Sequence, residues 1–248
     1  MRKIDRPRTT TLRVTATAFA LAVLSACSFR TIGCGGAPPD LSTPVTRVNP
    51  ISGGDPTPVA AKFKIAFFGD SITAGFGLLS DQAYPVDIQH LFAADGYTQV
   101  ESINAGLTGD TTASGLRRLD EVFEPEVRIV VVALGGNDAL RGLAPQETHD
   151  NLARIIEQAL AKNVAVVLVG MMAPPNLGPD YREAFSAAFV KLAGEFKGKI
   201  TYIPFLLEGV AGNPGLNQAD GIHPTPEGAK IIAANLYQPL RILVDAMQ

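Results

Sequence analysis

Residues able to carry out acyl transfer occur in this chain in short polar stretches far apart from one another. Ser71 lies in Phe68-Gly69-Asp70-Ser71-Ile72-Thr73-Ala74-Gly75, directly after the apolar run Phe63–Phe67. Taken alone, a serine at such a turn reads as a helix N-cap. It becomes a nucleophile only with a base beside it and hydrogen-bond donors for the developing oxyanion. His223 lies in Asp220-Gly221-Ile222-His223-Pro224-Thr225-Pro226. Asp220, three residues earlier, can curl back to accept from its Nδ1–H, which fixes the tautomer and leaves Nε2 free to take a proton. His90 and His149 complete the three histidines, and both fall inside helical patterns, as surface or internally satisfied side chains.

Two further stretches offer donors. In Asn104-Ala105-Gly106-Leu107-Thr108-Gly109-Asp110-Thr111, Gly109 is either a plain turn glycine or an unobstructed backbone N–H. Leu134-Gly135-Gly136-Asn137-Asp138 is either a glycine turn followed by an Asx cap or a source of a side-chain amide aimed at an oxyanion. Scattered histidines and no thiolate pair after residue 62 give no metal-ligand set, so neither metal nor cofactor is expected.

These stretches need a scaffold that brings them to one edge, and the hydrophobic pattern supplies it. Strand-like runs Phe63–Phe68, Tyr97–Ile103, Val127–Leu134, Val164–Val169 and Ile200–Ile203 alternate with helical patterns over Tyr84–Ala94, Thr112–Phe123, Pro145–Lys162, Tyr181–Phe196 and Pro226–Ala246. Val127–Leu134 is nearly continuous and β-branched, as expected of a strand covered on both faces. Pro239 is expected to kink or interrupt the last helix. Strict alternation predicts an α/β fold, a three-layer α/β/α sandwich with right-handed crossovers. Every polar stretch above follows the carboxyl end of a strand, the edge where open α/β sheets bind ligands.

The chain has 248 residues, a net charge of −3, 46% hydrophobic and 18% charged residues, a composition that gives no electrostatic case for nucleic acid. Residues 1–26 read as a secretory signal, with Arg2, Lys3, Arg6, Arg8 and Arg13 ahead of an apolar stretch, Val14–Leu24, too short to span a bilayer. Leu24-Ser25-Ala26-Cys27 resembles a lipoprotein lipobox, with Cys27 as the lipidated residue; the alternative is ordinary cleavage near Ala26. Cys34 is the only other cysteine, too near in sequence for a domain-stapling disulfide. Residues 27–61, rich in Pro, Gly, Ser and Thr, suit a flexible tether, leaving 62–248 as the folded domain. The expected location is the bacterial cell envelope, on the periplasmic side and at the outer membrane because Ser28 follows Cys27, with the membrane as a partner through the anchor.

The set Gly-Asp-Ser-Ile, Thr-Gly-Asp-Thr, Gly-Gly-Asn-Asp and Asp-Gly-Ile-His-Pro resembles the four sequence blocks of the SGNH (GDSL) hydrolases. Within that family the chain is most similar to the acyl-CoA thioesterase I, arylesterase and lysophospholipase group, from Lys64 to the end. The resemblance implies a flavodoxin-like fold with strand order 2-1-3-4-5 and a serine esterase acting on carboxylic esters or thioesters. It implies Ser71 as nucleophile, His223 as general base and Asp220 as its orienter. The implied oxyanion donors are the backbone N–H groups of Ser71 and Gly109 and the Asn137 side chain. A substrate pocket formed by Leu107 and by Met172, Ala173, Pro174 and Pro175 after the fourth strand suits an acyl chain or aryl group. Relatives tend to carry a larger aliphatic residue where this chain has Ala173, which leaves chain-length preference open. A carbohydrate or peptidoglycan O-acetylesterase of the same family is the alternative. A flavodoxin-like binding lipoprotein is a remoter one, since Gly75-Phe76-Gly77 lacks the lysine of a phosphate-binding loop.

Overall fold

A computed structural model describes residues 62–247. The leader, Cys27 and the linker therefore lie outside the described residues. Five parallel strands form one sheet in the order β2-β1-β3-β4-β5, the order the resemblance implied. They are β1 (Phe63–Gly69), β2 (Val100–Gly106), β3 (Val127–Ala133), β4 (Ala165–Val169) and β5 (Ile200–Ile203). The helices are α1 (Ser71–Ala74), α2 (Tyr84–Ala94), α3 (Thr112–Arg118), α4 (Gly136–Leu140), α5 (Pro145–Ala161), α6 (Pro179–Glu195) and α7 (Pro226–Asp245). α2 packs on α7, and α5 packs on both α3 and α6.

The central strands are the most apolar because helices cover both their faces. Phe67, Phe68, Ile129, Val131 and Val132 are fully buried, each such side chain contributing about 1.5–3 kcal/mol of burial energy. The edge strands β2 and β5 are only partly buried. β1 runs in register with β2 as far as Gly69 beside Gly106, so both strands deliver their following loops at the same level. Gly106 has no tolerable replacement, since a side chain there would run into the Ala74 backbone.

Three expectations about the elements need correction. The second strand begins at Val100, not Tyr97, because Tyr97 closes α2 instead. Its N–H donates to the Phe92 carbonyl (2.9 Å), that of Gly96 donates to Ala93, and the Tyr97 ring packs on Phe92. With Gly96 at φ 89° this is a Schellman motif, including its usual hydrophobic contact. The Thr112–Phe123 helix stops at Arg118 and continues as a 3₁₀ turn, Leu119–Val122. Pro239 does not break α7. It forfeits one helical hydrogen bond, at a cost of about 3 kcal/mol, but Leu236, Leu240 and Val244 around it are wholly buried and hold the helix continuous.

Candidate active site

β1 ends at Gly69, and the chain turns at once into the single-turn helix α1. The N-cap is Asp70, not Ser71: its Oδ1 accepts the Ile72 N–H at 3.0 Å. Ser71 is thereby the first helical residue, with a backbone N–H that has no intrahelical acceptor. Thr73 anchors the turn from below through a buried 2.8 Å hydrogen bond to the Tyr84 hydroxyl.

The loop before α7 brings His223 to this serine. Ser71 Oγ lies 2.8 Å from His223 Nε2, and His223 Nδ1 lies 2.6 Å from Asp220 Oδ2. An ionised carboxylate can only accept, so Nδ1 carries the proton and Nε2 presents its lone pair to the Ser71 hydroxyl. The Asp220 Oδ1 accepts the N–H groups of Ile222 (2.9 Å) and His223 (3.0 Å). The His223 hydrogen bond, followed by these two backbone donors, pulls the Asp220 carboxyl down to about 2. It is therefore ionised at any pH at which the imidazole could act as a base.

Two residues that support the histidine have no recognisable signal in sequence. The Phe76 ring packs on the His223 imidazole with centroids 4.7 Å apart. Gln218 donates both amide hydrogens, to the carbonyls of Phe76 (2.7 Å) and Pro224 (2.9 Å). Its backbone N–H donates to the His223 carbonyl at 2.7 Å. The turn bearing the base is thus clasped to the loop that follows the nucleophile. A glutamine and a phenylalanine in loops look ordinary until the loops are juxtaposed.

The remaining two stretches meet at the same edge. Asn137, on α4, donates one amide hydrogen to the Asp110 carbonyl (2.9 Å), which fixes the amide plane and leaves the second N–H for a ligand. Gly109 adopts φ 86°, a left-handed conformation that favours glycine, and its carbonyl accepts from Arg141 at 2.9 Å. Its N–H has no protein acceptor among the described residues. The Asx-cap reading of Asn137-Asp138 does not hold, because Gly135 occupies the N-cap of α4 without any side-chain bond. Asp138 instead is buried, accepting from the Thr112 N–H (2.8 Å), the Thr112 hydroxyl (2.5 Å) and Thr148 (3.3 Å), and so ties α4 to α3 and α5. Arg118 pairs with Asp110 at 2.5 Å, donates to the Gly69 carbonyl and stacks over Phe68, fastening the β2–α3 loop to the end of β1.

A cavity of ≈ 380 Å³ opens beside these groups, and Ser71 and Asn137 share its wall with Leu140, Met171, Phe205, Leu207 and Ile222. Met172, Ala173, Pro174 and Pro175 line it as expected, but Leu107 does not. Leu107 follows β2, the edge strand, and points into a separate cleft with Ile103 and Val122. Gly109 also lies outside the lining and is joined to Asn137 through the neighbouring Asp110 carbonyl. His149 is satisfied by Asp150 (2.9 Å) and Glu195 (3.0 Å), away from this site. Among the described residues no cluster of three or more His, Cys, Asp or Glu side chains could hold a metal ion.

Asp70 is the other buried carboxylate here, and burial pushes its carboxyl up to about 6 despite the Ile72 N–H bond. A carboxyl raised in the folded state favours folding only when protonated, so its burden is fully present above pH 6 and vanishes below about 4. Asp70→Asn keeps a cap acceptor and removes the charge. It should raise the melting temperature at pH 8, with a gain bounded by about 3 kcal/mol, and should lose that advantage at pH 4. Thermal melts of both proteins at the two pH values check this; an equal difference at both would show that the charge is not the cause.

A serine–imidazole–carboxylate relay at the carboxyl edge of a 2-1-3-4-5 sheet is the site of a serine hydrolase. The chain belongs to the GDSL-like lipase/acylhydrolase family, whose model matches residues 67–231. It is 40% identical over 189 residues to the esterase TesA of Pseudomonas aeruginosa, covering 76% of this chain and 92% of that protein. It is 36% identical to thioesterase 1/protease 1/lysophospholipase L1 of Escherichia coli, covering 75% of this chain and 87% of that protein. A crystal structure of TesA superposes with a TM-score of 0.68 at 40% identity, covering 73% of this chain and 99% of that one.

Proposed function

We propose that this protein hydrolyses carboxylic esters and thioesters through an acyl-Ser71 intermediate. The observation that carries the reading is the continuous relay from Asp220 through His223 to Ser71, set against an apolar cavity. Ser71 Oγ attacks the substrate carbonyl while His223 Nε2 takes its proton. The carbonyl oxygen, now anionic, sits among the N–H groups of Ser71, Gly109 and Asn137. As the carbonyl re-forms, the bond to the alcohol or thiol breaks, and the leaving group receives the proton from His223. Water then gives a proton to the same imidazole and attacks the acyl carbon; as the carbonyl re-forms, the bond to Ser71 Oγ breaks, Oγ takes the proton back from His223, and the acid leaves.

The amide of Asn137 is held rigid before substrate arrives, and this is where a donor contributes most. Asn137→Ala should keep the fold but lower kcat roughly 10²–10³-fold, or about 3–4 kcal/mol, with little change in KM. An unchanged kcat on p-nitrophenyl butyrate would remove Asn137 from the mechanism. Labelling of Ser71 by a fluorophosphonate, followed by an acyl-length series of p-nitrophenyl esters, tests the reading as a whole. The methionine- and proline-lined wall favours acyl or aryl groups over a sugar acetate, so octanoyl and butyryl esters should be cleaved faster than acetyl xylan.

On sequence alone, export and lipidation at Cys27 complete the reading, placing the domain on a tether at the periplasmic face of the outer membrane. Metabolic labelling with a fatty acid should mark the protein and should be lost in Cys27→Ser. Equal labelling of both would reject the anchor.

A further inference from the structure

Nine large apolar side chains are exposed among the described residues, and their distribution is uneven. Six of them, Phe76, Leu79, Leu107, Leu140, Met172 and Ile222, stand in the segments that follow the carboxyl ends of all five strands, Leu140 at the end of α4 and the others in loops. The other three are dispersed: Val190 on α6, Ile242 on α7 and Met247 at the carboxyl end. Single exposed apolar residues are ordinary, but six gathered at one end of the sheet mark a contact surface. Exposure reaches 67% at Leu79 and 54% at Met172, values that leave the tips of these loops unpartnered.

Three of the six, Leu140, Met172 and Ile222, also line the cavity beside Ser71. Leu140, Met172 and Ile222 therefore belong both to the exposed apolar end of the sheet and to the wall of the cavity that holds Ser71. A protein seated there would seal that cavity. A phospholipid surface would instead offer an acyl chain a route to Ser71 without crossing water. Arg141 and Arg182 are exposed at the same mouth, Arg182 within the cavity lining, and neither has a carboxylate within 4.0 Å among the described residues. Guanidinium groups at the edge of an apolar patch suit lipid phosphates. From residue 62 on, 21 acidic side chains stand against 14 basic ones, a balance that points to zwitterionic rather than strongly anionic lipid.

We propose that the exposed apolar side chains Phe76, Leu79, Leu107, Leu140, Met172 and Ile222 at the carboxyl edge of the sheet dock that edge onto a zwitterionic phospholipid surface, from which acyl substrate enters the cavity directly. The proposal rests on the acyl-hydrolase reading for its purpose, but docking itself does not require turnover.

The chain contains no tryptophan, so a single introduced indole reports its own surroundings. Leu79→Trp, Leu107→Trp and, as a control on the outer face of α6, Val190→Trp would each be made in the full chain. Each is mixed with phosphatidylcholine vesicles carrying brominated acyl chains. Insertion of loop tips by several ångströms should shift the emission of the Leu79→Trp or Leu107→Trp chain to the blue and quench it roughly twofold, leaving Val190→Trp unaffected. Two loop positions guard against a local perturbation at either. Absence of quenching at both, or equal quenching at Val190→Trp from attachment through the front end alone, would overturn the proposal. Hydrolysis of p-nitrophenyl butyrate by the unsubstituted chain in vesicle-free buffer tests the acyl-hydrolase reading separately, so failure of one is not mistaken for failure of the other.

Discussion

Ser71→Ala is expected to lower turnover of p-nitrophenyl esters roughly a millionfold, down to what the oxyanion donors and the cavity achieve alone. The size follows from the geometry. Among the described residues, the Ser71 oxygen is the one hydroxyl hydrogen-bonded to the His223 ring, at 2.8 Å, so no neighbour can form the acyl intermediate in its place. Thr73, two residues on, is buried and already bonded to Tyr84. Ser71 itself is nearly buried and makes no bond on which α1 depends, because Asp70 supplies the cap. The variant should therefore melt within about 1 kcal/mol of the parent, as substitutions that disturb no cap or packing do. Retention of full activity would end the serine mechanism, and a collapsed fold would show that the hydroxyl has a structural role the contacts do not reveal.

Asp220→Asn carries the second-largest expected effect, a fall in kcat of about 10⁴. The carboxylate dictates which ring nitrogen of His223 holds the proton. An asparagine can turn its amide N–H toward Nδ1, which drives the proton to Nε2 and leaves no lone pair facing Ser71. A charge stabilising the imidazolium is lost at the same time. Because the wild-type carboxyl is held at about 2, its own titration should not appear in the acid limb of the pH–rate profile. The pH–rate profile should show no separate step at a normal carboxylate pKa. A variant within tenfold of wild type would mean that Phe76 and Gln218 alone orient the ring. That outcome would be informative, since those two residues grip the His223 turn from the other side.

Asp70 and Asp220 show how two carboxyls near one serine diverge. Asp220 remains partly exposed and gathers three donors, so its charge is favoured. Asp70 is buried with a single strong donor, and desolvation prevails. The second arrangement costs stability at neutral pH and places a negative charge near His223, where positive charge develops during acyl transfer.

What could be read along the chain was whatever is local. Alternation of apolar runs with helical patterns located all five strands and four long helices, with the Thr112–Phe123 pattern splitting into α3 and a 3₁₀ turn, because burial on both faces of β3 demands an apolar run such as Ile129-Val130-Val131-Val132. The Asp220–His223 pair was legible because three residues suffice to curl one onto the other. The single-turn helices α1 and α4 were not, since four or five residues carry no periodicity. Tyr97 looked like a strand residue because an aromatic fits a strand as well as it fits a helix-closing contact with Phe92.

The primary sequence by itself determined which chemistry was available: one hydroxyl, one imidazole with its carboxylate, and glycine and asparagine donors, each placed after a strand. Tertiary structure alone decided that Ser71 and His223, 152 residues apart, meet at hydrogen-bonding distance. It also decided that the Asp110 carbonyl locks the Asn137 amide and that Leu107 faces away from the cavity it was expected to line. The reason is physical. Residue types and short spacings fix what a turn can donate or accept, whereas the partner that receives it depends on strand order and register, which bring distant loops to one height above the sheet.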